Sequence, residues 1–376
     1  MRARRKLFGH RQVYDTLSTN EIFLRAVKEN VEWHYQNCAE YRNIIDSQQF
    51  NPSMLIKYED LHRLPPIPTL YLKRHQMLSI PVNKLRLKST TSGTSGKPVE
   101  VGFNMGALFL GFNMLRKMLI NQKLLSLRPT NYLILGYQPS KHNRMGAVRT
   151  AFGATFLAPA MHKEYALVDT GADYALNLEG VMNALTRYSH AKSPVRILGF
   201  PAYFYFLLKK LEQENIFLKL SETSMVLLGG GWKQFASQKV DKGEFYRLAT
   251  ERLGIKEERF KEFFGVVEHN IPYFDCKNHH FHIPVYSRVI IRDFKTMEPV
   301  GYGRPGILNL ITPLLDSMPL VSIMTDDIAV LREGKQCGCG NEAPYFEILG
   351  RAGLKGVATC AAGAGSMLEG VKYESG

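Results

Sequence analysis

Cysteine is scarce in this chain: 376 residues carry five, Cys38, Cys276, Cys337, Cys339 and Cys360. An odd and sparse set excludes a disulfide scaffold and fits a reducing compartment, where each thiol stays available as nucleophile or metal ligand. Long apolar runs are missing too. No stretch approaches the ~18 residues of a membrane span, and the basic start Met1-Arg2-Ala3-Arg4-Arg5-Lys6 lacks the apolar core of a signal peptide. The expectation is a cytoplasmic protein whose arginine-rich start is a solvated tail. Acidic residues are in deficit, 34 against 48 Lys and Arg, for a net charge of +14. That excess asks for anionic partners, and nucleotides or acidic proteins meet it as well as nucleic acid does. No repeat period and no low-complexity tract occurs, so solenoids and arrays drop out.

What is present is alternation. Glu21 to Ile45 places Phe23, Val27, Val31 and Tyr35 at helical spacing, and Pro65-Pro66-Ile67-Pro68 ends this N-terminal helical region. Leu85 to Phe103 reads as strand, loop, strand, with a helix following over about 104–125. Short apolar runs at Tyr132–Leu135, Val195–Gly199 and Met225–Leu228 have the character of buried strands. Helical stretches near 175–189, 202–214 and 238–253 separate them, and the alternation predicts an α/β fold with a mostly parallel sheet covered on both faces. From Val285 onward strands and turns prevail, at 288–292, 306–312, 327–331 and 346–349. The domain boundaries that follow are a helical region over 1–80, a catalytic domain over 81–351 and a short cysteine-bearing tail over 352–376.

Between the first two strands lies Ser89-Thr90-Thr91-Ser92-Gly93-Thr94-Ser95-Gly96-Lys97-Pro98, a loop of backbone N–H groups, hydroxyls and one ammonium suited to phosphate. It is not a Walker A loop, because Pro98 follows Lys97 and the chain continues as strand rather than helix. On residues alone it reads equally as an ordinary hairpin loop. Thr91 to Pro98, however, resemble the phosphate-binding signature of the adenylate-forming superfamily. Further on, Gly229-Gly230-Gly231 resembles that superfamily's adenine-contacting turn, and Phe264-Gly265-Val266-Val267-Glu268 its aromatic-Gly-x-Thr-Glu motif. Thr325-Asp326-Asp327 resembles the ribose-binding Thr-Gly-Asp, and Gly350-Arg351 the hinge pair. Val267 stands where the superfamily has Thr.

Within that superfamily, Ile197 to Leu208 with Gly229-Gly230-Gly231-Trp232-Lys233, together with Trp33-His34-Tyr35 and Ile67-Pro68-Thr69, resembles the acyl-protein synthetase (LuxE) family. The resemblance implies ATP-dependent activation of a carboxylic acid, of the long-chain fatty class, as acyl-AMP, then transfer to a cysteine near the C-terminus and on to an acyl reductase or acyl carrier protein. It implies phosphate contacts from Thr91 through Lys97, Mg²⁺ on Glu268, nucleotide contacts from Gly229, Gly230, Gly231, Phe264, Gly265, Asp327 and Arg351, and Cys360 as acyl acceptor. Only 25 residues follow Arg351, so the superfamily's lid domain is expected to be missing. The +14 charge then reads as a surface for ATP and acidic partners rather than nucleic acid. An acyl- or aryl-CoA ligase, with coenzyme A in place of Cys360, is the alternative; a non-catalytic zinc-bearing binding module is another. Oligomeric state is open, homo-oligomers included.

Cys276 and His282 with Cys337-Gly338-Cys339 form a Cys₃His set with spacing suited to tetrahedral Zn²⁺, and His280 could stand in for His282. Related aryl-CoA ligases carry a comparable set. The aromatic run Phe200 to Phe206 is expected either to line an acyl tunnel or to be core.

Overall fold

The N-terminal segment folds because its apolar residues repeat at helical spacing even where its charge suggested a tail. In the computed structural model, which describes residues 1–91, 98–141, 143, 145–171, 173–230 and 241–352, α1 (Arg2–Gly9) buries Ala3, Leu7 and Phe8. Arg4 is buried with them, pairing with Asp316 at 2.8 Å and donating to the Leu314 carbonyl. The expected solvated tail is therefore a packed helix, its one buried charge neutralised. In place of one helix over 21–45 stand α2 (Asn20–Asn37) and α3 (Ala39–Ser47), parted at Cys38, whose backbone is extended. The described residues divide into two units, one formed by Met1–Gln122 and the chain from Gly265 onward, the other by Lys123–Phe264.

In the first unit β1 (Ile67–Pro68) leads into the short α4 (Thr69–Leu72). The hairpin of β2 (Leu87–Thr90) and β3 (Glu100–Phe103) follows, antiparallel with Thr90 opposite Glu100. Asn104 then caps α5 (Met105–Asn121) by accepting the Ala107 N–H.

The second unit is the parallel sheet that the apolar runs foretell. It contains β4 (Thr130–Tyr137), α6 (Gly146–Ala154), β5 (Ala160–Asp169), β6 (Tyr174–Leu176), α7 (Leu178–Ser189), β7 (Val195–Gly199), α8 (Pro201–Gln213), β8 (Met225–Gly229), α9 (Lys242–Leu253) and β9 (Phe260–Val266). Six strands of its seven-stranded sheet run in the order β9-β8-β7-β4-β5-β6, parallel except for β6. Pro201 starts α8 at a position where no N–H is missed. Tyr203, Phe204, Phe206, Leu207 and Leu208 are buried in this unit's hydrophobic core, so of the two readings of the aromatic run, core is the one observed.

Back in the first unit come β10 (His269–Phe274), β11 (Phe281–His282), β12 (Arg288–Arg292), β13 (Pro305–Ile311), β14 (Ser322–Arg332) and β15 (Tyr345–Arg351). Here the order is β11-β15-β14-β13-β12, all antiparallel, with β1 parallel to β14 at Ile67↔Ile323. Short connections between these strands leave no room for crossover helices, so the parallel architecture stops with the second unit. No helix among the described residues is long and apolar enough to cross a membrane.

Candidate nucleotide site and thiol cluster

The phosphate-loop hairpin is described at its base. Thr91 N–H donates to the Val99 carbonyl at 3.0 Å, and Val99 N–H donates to Thr91 Oγ1 at 2.9 Å. Thr91 thus spends its hydroxyl on closing the hairpin. Ser92, Gly93, Thr94, Ser95, Gly96, Lys97, Gly231 and Cys360 lie outside the described residues.

In the second unit β8 ends in Gly229, opposite Phe263 of β9. A Cβ on Gly229 would sit 2.3 Å from the Phe263 ring, so any side chain there would have to displace that ring, and Gly230 has φ +82°, a backbone that favours glycine. Phe264 is half-buried and Gly265 exposed at the end of β9.

In the first unit β14 and β15 pair Asp327 directly with Arg351, and the side chains meet at 3.2 Å from Arg351 Nε to Asp327 Oδ1. Asp327 N–H also donates to Thr325 Oγ1, which fixes the turn of the Thr-Asp-Asp segment. Asp327 and Glu268 are each only 6% exposed. Burial pushes the Asp327 carboxyl above its usual range, opposed by Arg351 and Thr325 and reinforced by Asp326. Glu268 is raised for the same first reason, with Lys73 and Arg351 pulling it down and Asp326 pushing it up. Three carboxylates and two cations therefore share one field. Buried oxygen donors held above their ordinary pKa suit a hard divalent cation, whose charge would reverse the cost of ionising them. Lys73 carries no motif: it follows α4, and α4 follows the β1 strand that lies against β14. No sequence signal marks that route.

The structure brings the four thiol-cluster residues together. Cys276, His282, Cys337 and Cys339 bring their ligand atoms within 4.8 Å of one another. Cys276 Sγ is 3.5 Å from Cys337 Sγ, and His282 Nε2 is 3.2 Å from Cys339 Sγ. For metal–sulfur bonds of about 2.3 Å a tetrahedron has edges of about 3.8 Å, so this spacing fits a closed Cys₃His site. His282 Nδ1 donates to the Ala343 carbonyl at 2.6 Å, leaving Nε2 as the lone-pair nitrogen facing the sulfurs. Backbone N–H groups of Asn278 and Asn341 donate to Cys276 and Cys339 sulfur. Gly338, at φ +69°, makes the turn that lets both flanking cysteines face inward. His280 stays outside the four, touching Cys337 Sγ from 3.2 Å and stacking on Tyr345. Cys38 is buried elsewhere, at the α2–α3 break.

The overall fold is that of the adenylate-forming ligases. A solved 2-hydroxyisobutyryl-CoA ligase in complex with its acyl-AMP superposes with a TM-score of 0.67 over 91% of this chain and 70% of its own, at 14% identity. More specifically, the chain belongs to the acyl-protein synthetase, LuxE, family, which matches residues 13–368. It is 23% identical over 361 residues to the long-chain-fatty-acid–luciferin-component ligase of Vibrio harveyi, covering 93% of this chain and 90% of that protein. The ligase of the same name from Aliivibrio fischeri is 24% identical over 328 residues, 83% of this chain and 80% of that one. A phenylacetate-coenzyme A ligase of Thermus thermophilus is 23% identical over 341 residues, 87% of this chain and 70% of its own.

Proposed function

We propose that this protein activates a carboxylic acid, of the long-chain fatty class, with ATP and passes the acyl group to a thiol, Cys360. The observation that carries the reading is the pair of buried carboxyls Glu268 and Asp327, the latter paired with the exposed Arg351, in a chain of this family. A carboxylate oxygen of the acid attacks the α-phosphorus of ATP and pyrophosphate leaves; the thiolate then attacks the acyl carbonyl carbon and AMP leaves. Asp327, oriented by Arg351 and Thr325, accepts hydrogen bonds from the ribose hydroxyls. Mg²⁺, when bound, neutralises charge on the phosphates, and Glu268 with Asp326 nearby supplies oxygen ligands for it. Lys97 and the hydroxyls of Thr94 and Ser95 are assigned the phosphate oxygens. The thiol cluster is read as a structural zinc site, closed by four protein ligands and so without a place for substrate. An acyl reductase or carrier protein is the onward recipient.

The CoA ligases among the relatives support a second reading in which coenzyme A is the acceptor. Pyrophosphate exchange over fatty, aromatic and amino acids tests activation and names the acid. Labelled acid and ATP then separate the acceptors. Label that stays on the protein in SDS, is discharged by hydroxylamine and is lost in Cys360→Ala supports self-acylation, and product formed only with coenzyme A overturns it.

A further inference from the structure

A two-stranded hairpin is marginal by itself, and among the described residues the β2–β3 hairpin that leads into residues 92–97 has no third strand. Its outer edge is anchored instead at Gly102, among other contacts. Gly102 lies opposite Lys88, and both of its backbone polar groups are taken by a single segment of the first unit. Ser317 Oγ donates to the Gly102 carbonyl at 2.5 Å, and Gly102 N–H donates to Met318 Sδ at 3.1 Å. Ser317 is fully buried and Met318 nearly so. A Cβ at Gly102 would meet the Leu85 methyls at 2.7 Å, so a larger residue there would have to displace that side chain.

The anchoring segment, 314–318, is itself held rigid along its backbone. Arg4 takes the Leu314 carbonyl, and Asn30 and His34 take that of Leu315, at 2.7 and 3.1 Å. Trp33 Nε1 takes the Asp316 carbonyl at 2.8 Å, and Ser79 N–H takes that of Ser317 at 2.8 Å. His34 Nδ1 in turn meets Ser79 Oγ at 2.7 Å. Buried carbonyls such as those of Leu314 and Leu315 cost free energy when left without a donor, so these bonds hold the segment in place. Four residues beyond Met318 the chain enters β14, the strand that carries Asp327.

We infer that Ser317 and Met318 are positioning residues for ATP: they fix the phosphate hairpin in register with the Asp327 strand, with the N-terminal helices as the brace behind them. The inference rests on the ATP-dependent reading above. Its consequence is specific, because the acid has no part in the spacing between the phosphate and ribose contacts.

The test is pyrophosphate exchange on the full chain as wild type, Ser317→Ala and Met318→Leu, the last keeping volume while removing the acceptor. Loss of one buried hydrogen bond at the anchor is expected to raise KM for ATP about tenfold in Ser317→Ala and about threefold in Met318→Leu, with KM for the acid unchanged. Amide hydrogen exchange of Gly102 is expected to quicken in both. Unchanged KM for ATP in the variants, or a parallel rise in both KM values, overturns the inference. If Ser317→Ala does not fold, Met318→Leu decides alone. A wild type that exchanges pyrophosphate with no acid overturns the ATP reading instead, and Gly102 amide exchange, which needs no turnover, still reports whether the anchor exists.

Discussion

The two ends of the β14–β15 ribbon carry polar clusters of opposite design. At one end Asp327 faces Arg351, with Glu268, Asp326 and Lys73 in the same field, and two buried carboxyls are pushed above their ordinary pKa. At the other, the connection from β14 to β15 brings Cys337 and Cys339 to Cys276 and His282, where every donor atom has neighbours from the same set. The first arrangement is costly unless a cation and a hydroxyl-bearing ligand arrive. The second is complete once one ion is enclosed, with its supporting hydrogen bonds already made. On the function proposed above, the first end handles molecules that come and go and the second holds the ribbon for it.

The largest expected effect lies at the carboxylate end. Glu268→Gln is isosteric and removes a charge that is unfavourable in the ligand-free protein. Pyrophosphate exchange should fall about 10²–10³-fold, the scale of losing one electrostatic stabiliser, while the thermal midpoint holds or rises. A variant that keeps wild-type exchange breaks the assignment of this end to chemistry.

The thiol end should answer in the opposite manner. Cys337→Ser, or a strong chelator, is expected to strip about one zinc per chain and lower the thermal midpoint by about 10 °C, as several kcal/mol of closed-site binding are lost. Exchange at low temperature should drop less than about tenfold, through loosened pairing of β15 and Arg351. Elemental analysis, melting curves and the exchange assay read the three quantities. Abolished exchange with an unmoved midpoint would make this cluster part of the chemistry and erase the contrast.

How much of this was legible depends on how local the cause is. Val195–Gly199 appears as a strand at its expected bounds because a parallel strand buried on both faces must be a continuous apolar run. β5 (Ala160–Asp169) escaped because its first half is exposed and carries His162-Lys163-Glu164. The helix α1 escaped because its charge outweighs its apolar edge until Asp316, more than 300 residues away, is brought to Arg4. Glu268, Asp327 and Arg351 were named from motif order, and β14 pairing with β15 brings Asp327 to Arg351. Lys73 was not, since only the β1–β14 pairing delivers it. His282 was named with His280 as a possible substitute; what turns His282 Nε2 towards the sulfurs is the Ala343 carbonyl, a contact set by β11 pairing with β15 and by no spacing rule.

The smallest effect sharpens the contrast through pH. Glu268 and Asp327 have carboxyls raised by burial, so above the ordinary carboxylate value of ~4 the folded chain holds protons that the unfolded chain has released. Stability contributed by these two groups therefore falls as pH rises from there through their raised pKa values. Buried His34 and His269, brought down to about 4 and about 3 by desolvation, act in the opposite direction, so the total curve conceals the carboxylates. The difference between variants does not. Glu268→Gln is expected to gain on wild type by about 2–4 °C in thermal midpoint between pH 4 and 8, with the gap opening as pH rises. Cys337→Ser should instead run below wild type, furthest at pH 8, with the gap closing towards pH 4 as protons displace the zinc from its thiolates. Parallel curves for Glu268→Gln and wild type would mean that Glu268 does not titrate above the unfolded range, and the carboxylate end would lose its distinction from the thiol end.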